Sequence, residues 1–159
     1  CMWWRVEKGG KLWEESKGER NRESLRRGIE AGEVQAVLAL EGEEPVGWCS
    51  FGPRASFPRL ERVEALRGSF EPGTYSIVCF FVPARGRGRG VATALLEAAT
   101  RQAFAAGATA VEGYPVVPKH EGKAVPAAFA WTGVPAVFEA CGYRERDRPG
   151  ASRPIYVRS

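Results

Sequence analysis

Histidine is scarce and paired metal ligands are missing. His120 is the only histidine, and Cys1, Cys49, Cys79 and Cys141 lie far apart with no CxxC spacing. A structural zinc site needs four ligands, usually in closely spaced pairs, so no metal is expected. The thiols are expected to be buried and free, in a reducing compartment. Cys1, which precedes Met2, is given no role. No apolar run reaches the roughly 18–20 residues of a membrane span, and a basic, apolar, cleavable leader is lacking. These absences predict a cytoplasmic protein with no membrane partner. Internal repeats and a domain linker are missing too, so residues 1–159 are read as one domain.

Positive charge is in excess. Lys and Arg number 23 against 19 Asp and Glu, a net charge of +4. With a pI near 9.0 the chain suits an anionic partner. Arg85, Arg87 and Arg89 concentrate that charge, which fits a small polyanion better than a long strand. No nucleic-acid partner is expected.

Periodicity and turn residues divide the chain into elements. Met2–Glu7 is short and aromatic and reads as a first strand; Lys8–Asn21 is polar and reads as loop or loose helix. Leu25 and Ile29 predict an amphipathic helix over Glu23–Ala31, closed near Gly32. Val34–Leu40 and Val46–Phe51 read as a β-hairpin. Gly52–Pro72 reads as surface loop with one helical turn. Tyr75–Val82 is an unbroken apolar run bounded by turn residues and predicts a buried central strand. Val91–Ala106 predicts a helix that Gly107 closes. A strand follows at Thr109–Val116, then an irregular stretch at Pro118–Thr132 and a short helix at Pro135–Ala140. Tyr143–Asp147 and Pro154–Arg158 predict a terminal antiparallel pair.

The chemistry sits where the central strand meets the long helix. Pro83–Gly90 carries Gly86, Gly88 and Gly90 between arginines. The first N–H groups of a helix have no intrahelical partner and, with the macrodipole, form an anion site. Glycine lets a bulky anion approach the backbone closely, and arginine adds charge-assisted donors. A pyrophosphate at Arg87–Thr93 follows. The phosphate loop GxxxxGK[ST] is absent. A dinucleotide fingerprint fits poorly, because Thr93 stands where its last small residue belongs and the one acidic ribose contact on offer, Glu112, lies inside the next strand.

Arg87-Gly88-Arg89-Gly90-Val91-Ala92, directly after Phe80-Phe81-Val82 and before Leu95-Leu96, resembles the coenzyme A loop of the GNAT acetyltransferase superfamily. The resemblance extends over most of Val34–Arg158. It implies an α/β (α+β) fold: a mixed, mostly antiparallel sheet of about six to seven strands, splayed between two central parallel strands and flanked by helices. It implies acetyl-CoA as co-substrate. Backbone groups of Phe80, Phe81 and Val82 would hold the pantetheine and the thioester carbonyl, an oxyanion-type interaction. Arg87, Gly88, Arg89, Gly90, Val91, Ala92 and Thr93 would wrap the pyrophosphate, with Phe138 close to the cofactor. The acceptor would be a primary amine, on a small molecule or a peptide; a homodimer is left open.

Many members of that superfamily use a tyrosine as general acid at the position of Phe138, which has no proton to give. Glu112 and Tyr114 are two apart on a strand and share a face, so Glu112 is a candidate base and Tyr114 a candidate acid. His120 reads as surface decoration. Trp3, Trp4, Trp13, Trp48, Phe51 and Trp131 are candidates for core packing or for gripping a cationic acceptor. Two readings of other classes stay open: a non-catalytic acyl-CoA-binding module, and an RNA-binding protein that uses the Arg/Gly run.

Overall fold

Two helices precede the sheet. The computed structural model describes residues 2–6, 11–67, 70–118, 125–126, 128–150 and 153–159. Within these, α1 (Lys11–Ser16) and α2 (Glu19–Glu30) come first. On α2, Arg26 pairs with Glu23 at 2.8 Å and with Glu30 at 2.6 Å, helical-neighbour contacts that an exposed helix can afford. Of the loop or loose helix expected over Lys8–Asn21, the described part is mostly helix, as Lys11–Ser16 and the start of α2.

The first strands follow as a hairpin. β1 (Gln35–Glu41) and β2 (Glu44–Pro53) pair antiparallel around Gly42, whose φ of +63° lies in the left-handed region. The expected loop at Gly52–Pro72 holds more helix than one turn. It has 3-10 turns at Arg54–Ser56 and Glu64–Leu66 and a helix, α3 (Pro58–Arg62), that proline initiates.

β3 (Thr74–Phe81) is the central strand and leads into α4 (Val91–Ala105). Leu95, Leu96, Ala99 and Ala103 of α4 are buried against the sheet. Gly107 closes the helix as expected. Its N–H donates to Phe104 C=O and that of Ala108 to Ala103 C=O, both at 3.0 Å, which satisfies two terminal carbonyls. β4 (Ala110–Gly113) runs parallel to β3; α5 (Pro135–Ala140), β5 (Arg144–Asp147) and β6 (Ile155–Arg158) complete the chain. The six-stranded sheet has the order β1-β2-β3-β4-β6-β5, and β3–β4 is its parallel pair. The mixed, mostly antiparallel sheet flanked by helices is as anticipated.

Two further segments depart from the sequence reading. Met2–Val6 is a turn, with the N–H groups of Arg5 and Val6 donated to Met2 C=O; Glu7 lies outside the described residues. The aromatic content there serves burial: Trp4 packs against Tyr114 and Trp131 with ring centroids 6.4 and 5.5 Å away. β4 stops at Gly113 and not at Val116, because its pairing with β3 ends at Ile77–Gly113 and the strands diverge beyond.

Strand alternation splits the core into two layers. On one face Val37, Cys49, Phe51 and Ile77 of the sheet pack with Leu96 of α4 and Phe138 of α5. On the opposite face Trp4, Phe57, Leu60, Leu66, Val78 and Tyr114 pack together. No helix among the described residues is long and apolar enough to cross a membrane.

Candidate active site

The loop between β3 and α4 is shaped by two glycines. Gly88 and Gly90 have φ of +70° and +77°, and a Cβ at either would meet nothing within 4 Å. The backbone there is open to a ligand, and the residue types allow a conformation that others resist. Gly90 caps α4, so the N–H groups of Val91, Ala92 and Thr93 lie in its first turn, without intrahelical acceptors.

The three arginines divide their labour. Arg85 binds Glu44 and Arg89 binds Glu41, so both are anchored to the β1–β2 hairpin. Arg89, by hydrogen bond and charge, lowers the pKa of the Glu41 carboxyl. Arg87 donates from Nε to Val82 C=O at 3.1 Å and has no carboxylate partner among the described residues. It is the loop arginine left for an anion.

Arg87 opens onto a cavity of about 640 Å³ lined by Phe80, Phe81 and Val82 of β3 and by Ala92 of α4. Trp131, Gly133, Val134 and Val137 close its other side. Of the residues expected at the cofactor, Phe80, Phe81, Val82, Arg87 and Ala92 meet in this one space. Gly88, Arg89, Gly90, Val91 and Thr93 form the loop and helix start beside it. Phe138 does not line it: its ring lies behind, against Gly113 and Gly133, where added Cβ atoms would come within 2.1 and 2.8 Å of ring carbons. A smaller cavity of about 230 Å³, between Gln35 and Gln102, contains no ionisable side chain.

Glu112 and Tyr114 do share a face, and they contact each other through a hydrogen bond from the Tyr114 hydroxyl to the Glu112 carboxylate. Both are fully buried. Arg54 donates to Glu112, to Tyr114 Oη at 2.7 Å and to Leu66 C=O at 2.9 Å. Ser76 Oγ lies 2.9 Å from Tyr114 Oη, and Arg146 reaches Glu112 at 3.4 Å. Burial first, and the Glu112 charge second, push the Tyr114 pKa up. Neither residue lines the cavity. The cluster ties the 54–66 segment to the sheet.

Arg54, a buried cation in a loop, carried no signal in the sequence. The placement of residues 131–133, which enter the wedge where β3 and β4 part, was not expected either. Phe80 N–H donates to Trp131 C=O at 2.7 Å, and Val116 N–H donates to Gly133 C=O at 2.9 Å. The turn chemistry of Thr132-Gly133 before Pro135 was the clue available. Of the candidate cation-binding aromatics, Trp3 and Trp131 already face guanidinium groups, those of Arg59 and Arg153. His120 lies outside the described residues.

The acetyltransferase (GNAT) family matches residues 2–122, well over half of the chain. The chain belongs to the GNAT acetyltransferase family. No curated protein sequence matches it. Among solved structures, aminoglycoside acetyltransferase AAC(6′)-Ib in complex with coenzyme A and kanamycin is similar at a TM-score of 0.60 and 16% identity, over 89% of this chain and 75% of that one. An N-acetyltransferase from Staphylococcus aureus Mu50 is similar at 0.57 and 14%, over 87% and 74%. A ribosomal-protein-alanine N-acetyltransferase from Brucella melitensis gives 0.52 and 16%, over 87% and 75%. At such identities the likeness is one of fold. Within this GNAT chain the open loop, an Arg87 without a carboxylate partner among the described residues and the adjoining cavity fit a nucleotide thioester.

Proposed function

We propose that the protein is an N-acetyltransferase that moves the acetyl group of acetyl-CoA to a primary amine by direct attack in a ternary complex. The observation that carries this is the continuity between the Gly88–Thr93 loop, Arg87 and the cavity along Phe80–Val82. The loop amides and Arg87 would hold the pyrophosphate. The cavity, apolar apart from Arg87, would hold the pantetheine arm and exclude water from the thioester.

In the reaction the amine lone pair attacks the thioester carbon. A C–N bond forms, the C–S bond breaks, and its electron pair leaves on sulfur. The proton released by the amine ends on the thiolate, directly or through solvent. A thiol has a pKa of about 8.5, so the thiolate leaves without an obligatory acid. An ammonium ion of pKa about 10.4 must first lose a proton. Glu112 and Tyr114 remain the side chains proposed for acid–base work, and in the conformation described that role requires a path of access to them.

The acceptor is proposed to be an amine on a small molecule or a peptide, as kanamycin and a ribosomal-protein alanine are named for the similar structures. A cytoplasmic site of action is proposed with it. Calorimetric titration with acetyl-CoA beside desulfo-CoA and ATP tests the binding half. An amine library scored by thiol release tests the transfer half. Saturable acetyl-CoA binding with weak ATP binding supports the reading; no binding at millimolar ligand refutes it. A second reading, an acyl-CoA-binding module without transfer, is favoured by the buried Phe138 and the enclosed Glu112. It predicts acetyl-CoA binding with no amine-dependent thiol release.

A further inference from the structure

We propose that residues 131–133 form a strap that competes with the thioester carbonyl of acetyl-CoA for the Phe80 amide, and that Arg153 is the positioning residue that sets this competition. The proposal rests on the acetyl-CoA reading above.

Where β3 and β4 cease to pair, the strap, a turn at residues 131–132 that runs on into Gly133, lies between them. It accepts from Phe80 N–H at 2.7 Å on one side and from Val116 N–H at 2.9 Å on the other. Phe80 is one of the residues whose backbone is expected to hold the thioester, and it lines the cavity together with Trp131 and Gly133 of the strap. A backbone N–H is a single donor. A thioester carbonyl can take a full hydrogen bond from Phe80 only when the Trp131 carbonyl gives it up.

Arg153 holds the strap in place from the β5–β6 connection. Its Nη1 donates to Thr132 Oγ1 at 2.9 Å, and its guanidinium lies 5.4 Å from the centre of the Trp131 ring. Thr132 is fully buried, so this is a fixed contact. Gly133, at a φ of +87°, sets the strap's exit against the Phe138 ring. One side chain therefore grips the residue that supplies the competing carbonyl and the residue after it.

The test compares wild type, Arg153→Ala and Thr132→Val for affinity toward acetyl-CoA and toward CoA with a free thiol, which has no carbonyl to compete. Exchange of the Phe80 amide with solvent deuterium is read by NMR in each. A loosened strap is expected to raise the preference for acetyl-CoA over CoA by about three- to tenfold, the worth of one hydrogen bond. Phe80 exchange is expected to rise by about tenfold or more without ligand and to fall again with acetyl-CoA. Arg153→Lys, which keeps a cation beside Trp131, is expected to fall between. A merely structural role would move both affinities together. Binding of both ligands with an unchanged ratio and unchanged Phe80 exchange in the folded variants overturns the strap and leaves the cofactor reading standing. Binding of neither ligand to any variant overturns both. Thr132→Val, close in shape to the native residue, keeps the test decisive if Arg153→Ala does not fold.

Discussion

Substitution of Glu112 by Gln separates a structural role from a chemical one. The Glu112 carboxylate is fully buried and receives Arg54, Tyr114, Ser76 and Arg146. Arg54 is itself 3% exposed, so an uncharged partner leaves its guanidinium with the half-exposed Glu61 as its one carboxylate among the described residues, beside the Tyr114 hydroxyl and the Leu66 carbonyl. Breaking a buried pair from one side typically costs about 3–5 kcal/mol. In a chain of this size each kcal/mol lowers Tm by about 2–4 °C, so a fall of about 6–20 °C is expected by calorimetry or circular dichroism. Removing both charges together, as Arg54→Met with Glu112→Leu, is expected to recover much of that loss, because an apolar pair replaces a desolvated one. Turnover measured well below Tm decides the chemistry. With a structural tie alone, kcat stays within about twofold of wild type. A positioned base contributes about 10²–10⁴-fold. A Tm unchanged within 2 °C, or roughly so on the per-kcal scale, with kcat down a hundredfold or about that, would refute the structural account and install Glu112 as the base.

Other outcomes follow from single contacts. Arg87→Glu is expected to weaken acetyl-CoA binding by at least about tenfold in calorimetry, the loss of one charge-assisted contact, while Tm holds. Gly113→Ala places a methyl 2.1 Å from a Phe138 ring carbon and is expected to destabilise the fold by about 1–3 kcal/mol or more in urea unfolding. Burial raises the Cys79 thiol to about 11. Its folded pKa is above that of the unfolded chain, so its contribution is complete below the unfolded value of about 8.5 and is lost as pH climbs toward 11. Unfolding free energy measured across that range should decline, and less steeply in Cys79→Ala.

Much of the fold was legible because its strongest elements carry their own punctuation. The Tyr75–Val82 run, the alanine-rich helix with Gly107 behind it and the proline-started helix at 135–140 all appear close to their expected bounds. Met2–Val6 misled because aromatic residues mark burial as readily as strand. Thr109–Val116 was read as one strand because composition does not reveal where a neighbouring strand diverges. In the site, the Arg/Gly loop was visible from local chemistry. Arg54 was not, because it acts through Glu112 and Tyr114 far along the chain; of residues 131–133 the aromatic Trp131 and the turn at Thr132-Gly133 were visible, but not their place between β3 and β4.

The two loop arginines that reach back to Glu41 and Glu44 have a consequence for selectivity. Three bare guanidinium groups on a glycine loop would attract any polyanion, RNA included. Neutralising two of them at the hairpin tip leaves one positive charge beside oriented amides, a weaker lure for long strands and a better match for a compact diphosphate. It also makes the hairpin tip a brace for the loop, one that salt loosens because both bridges are exposed. High ionic strength should therefore broaden the set of anions the loop accepts even as it weakens each of them.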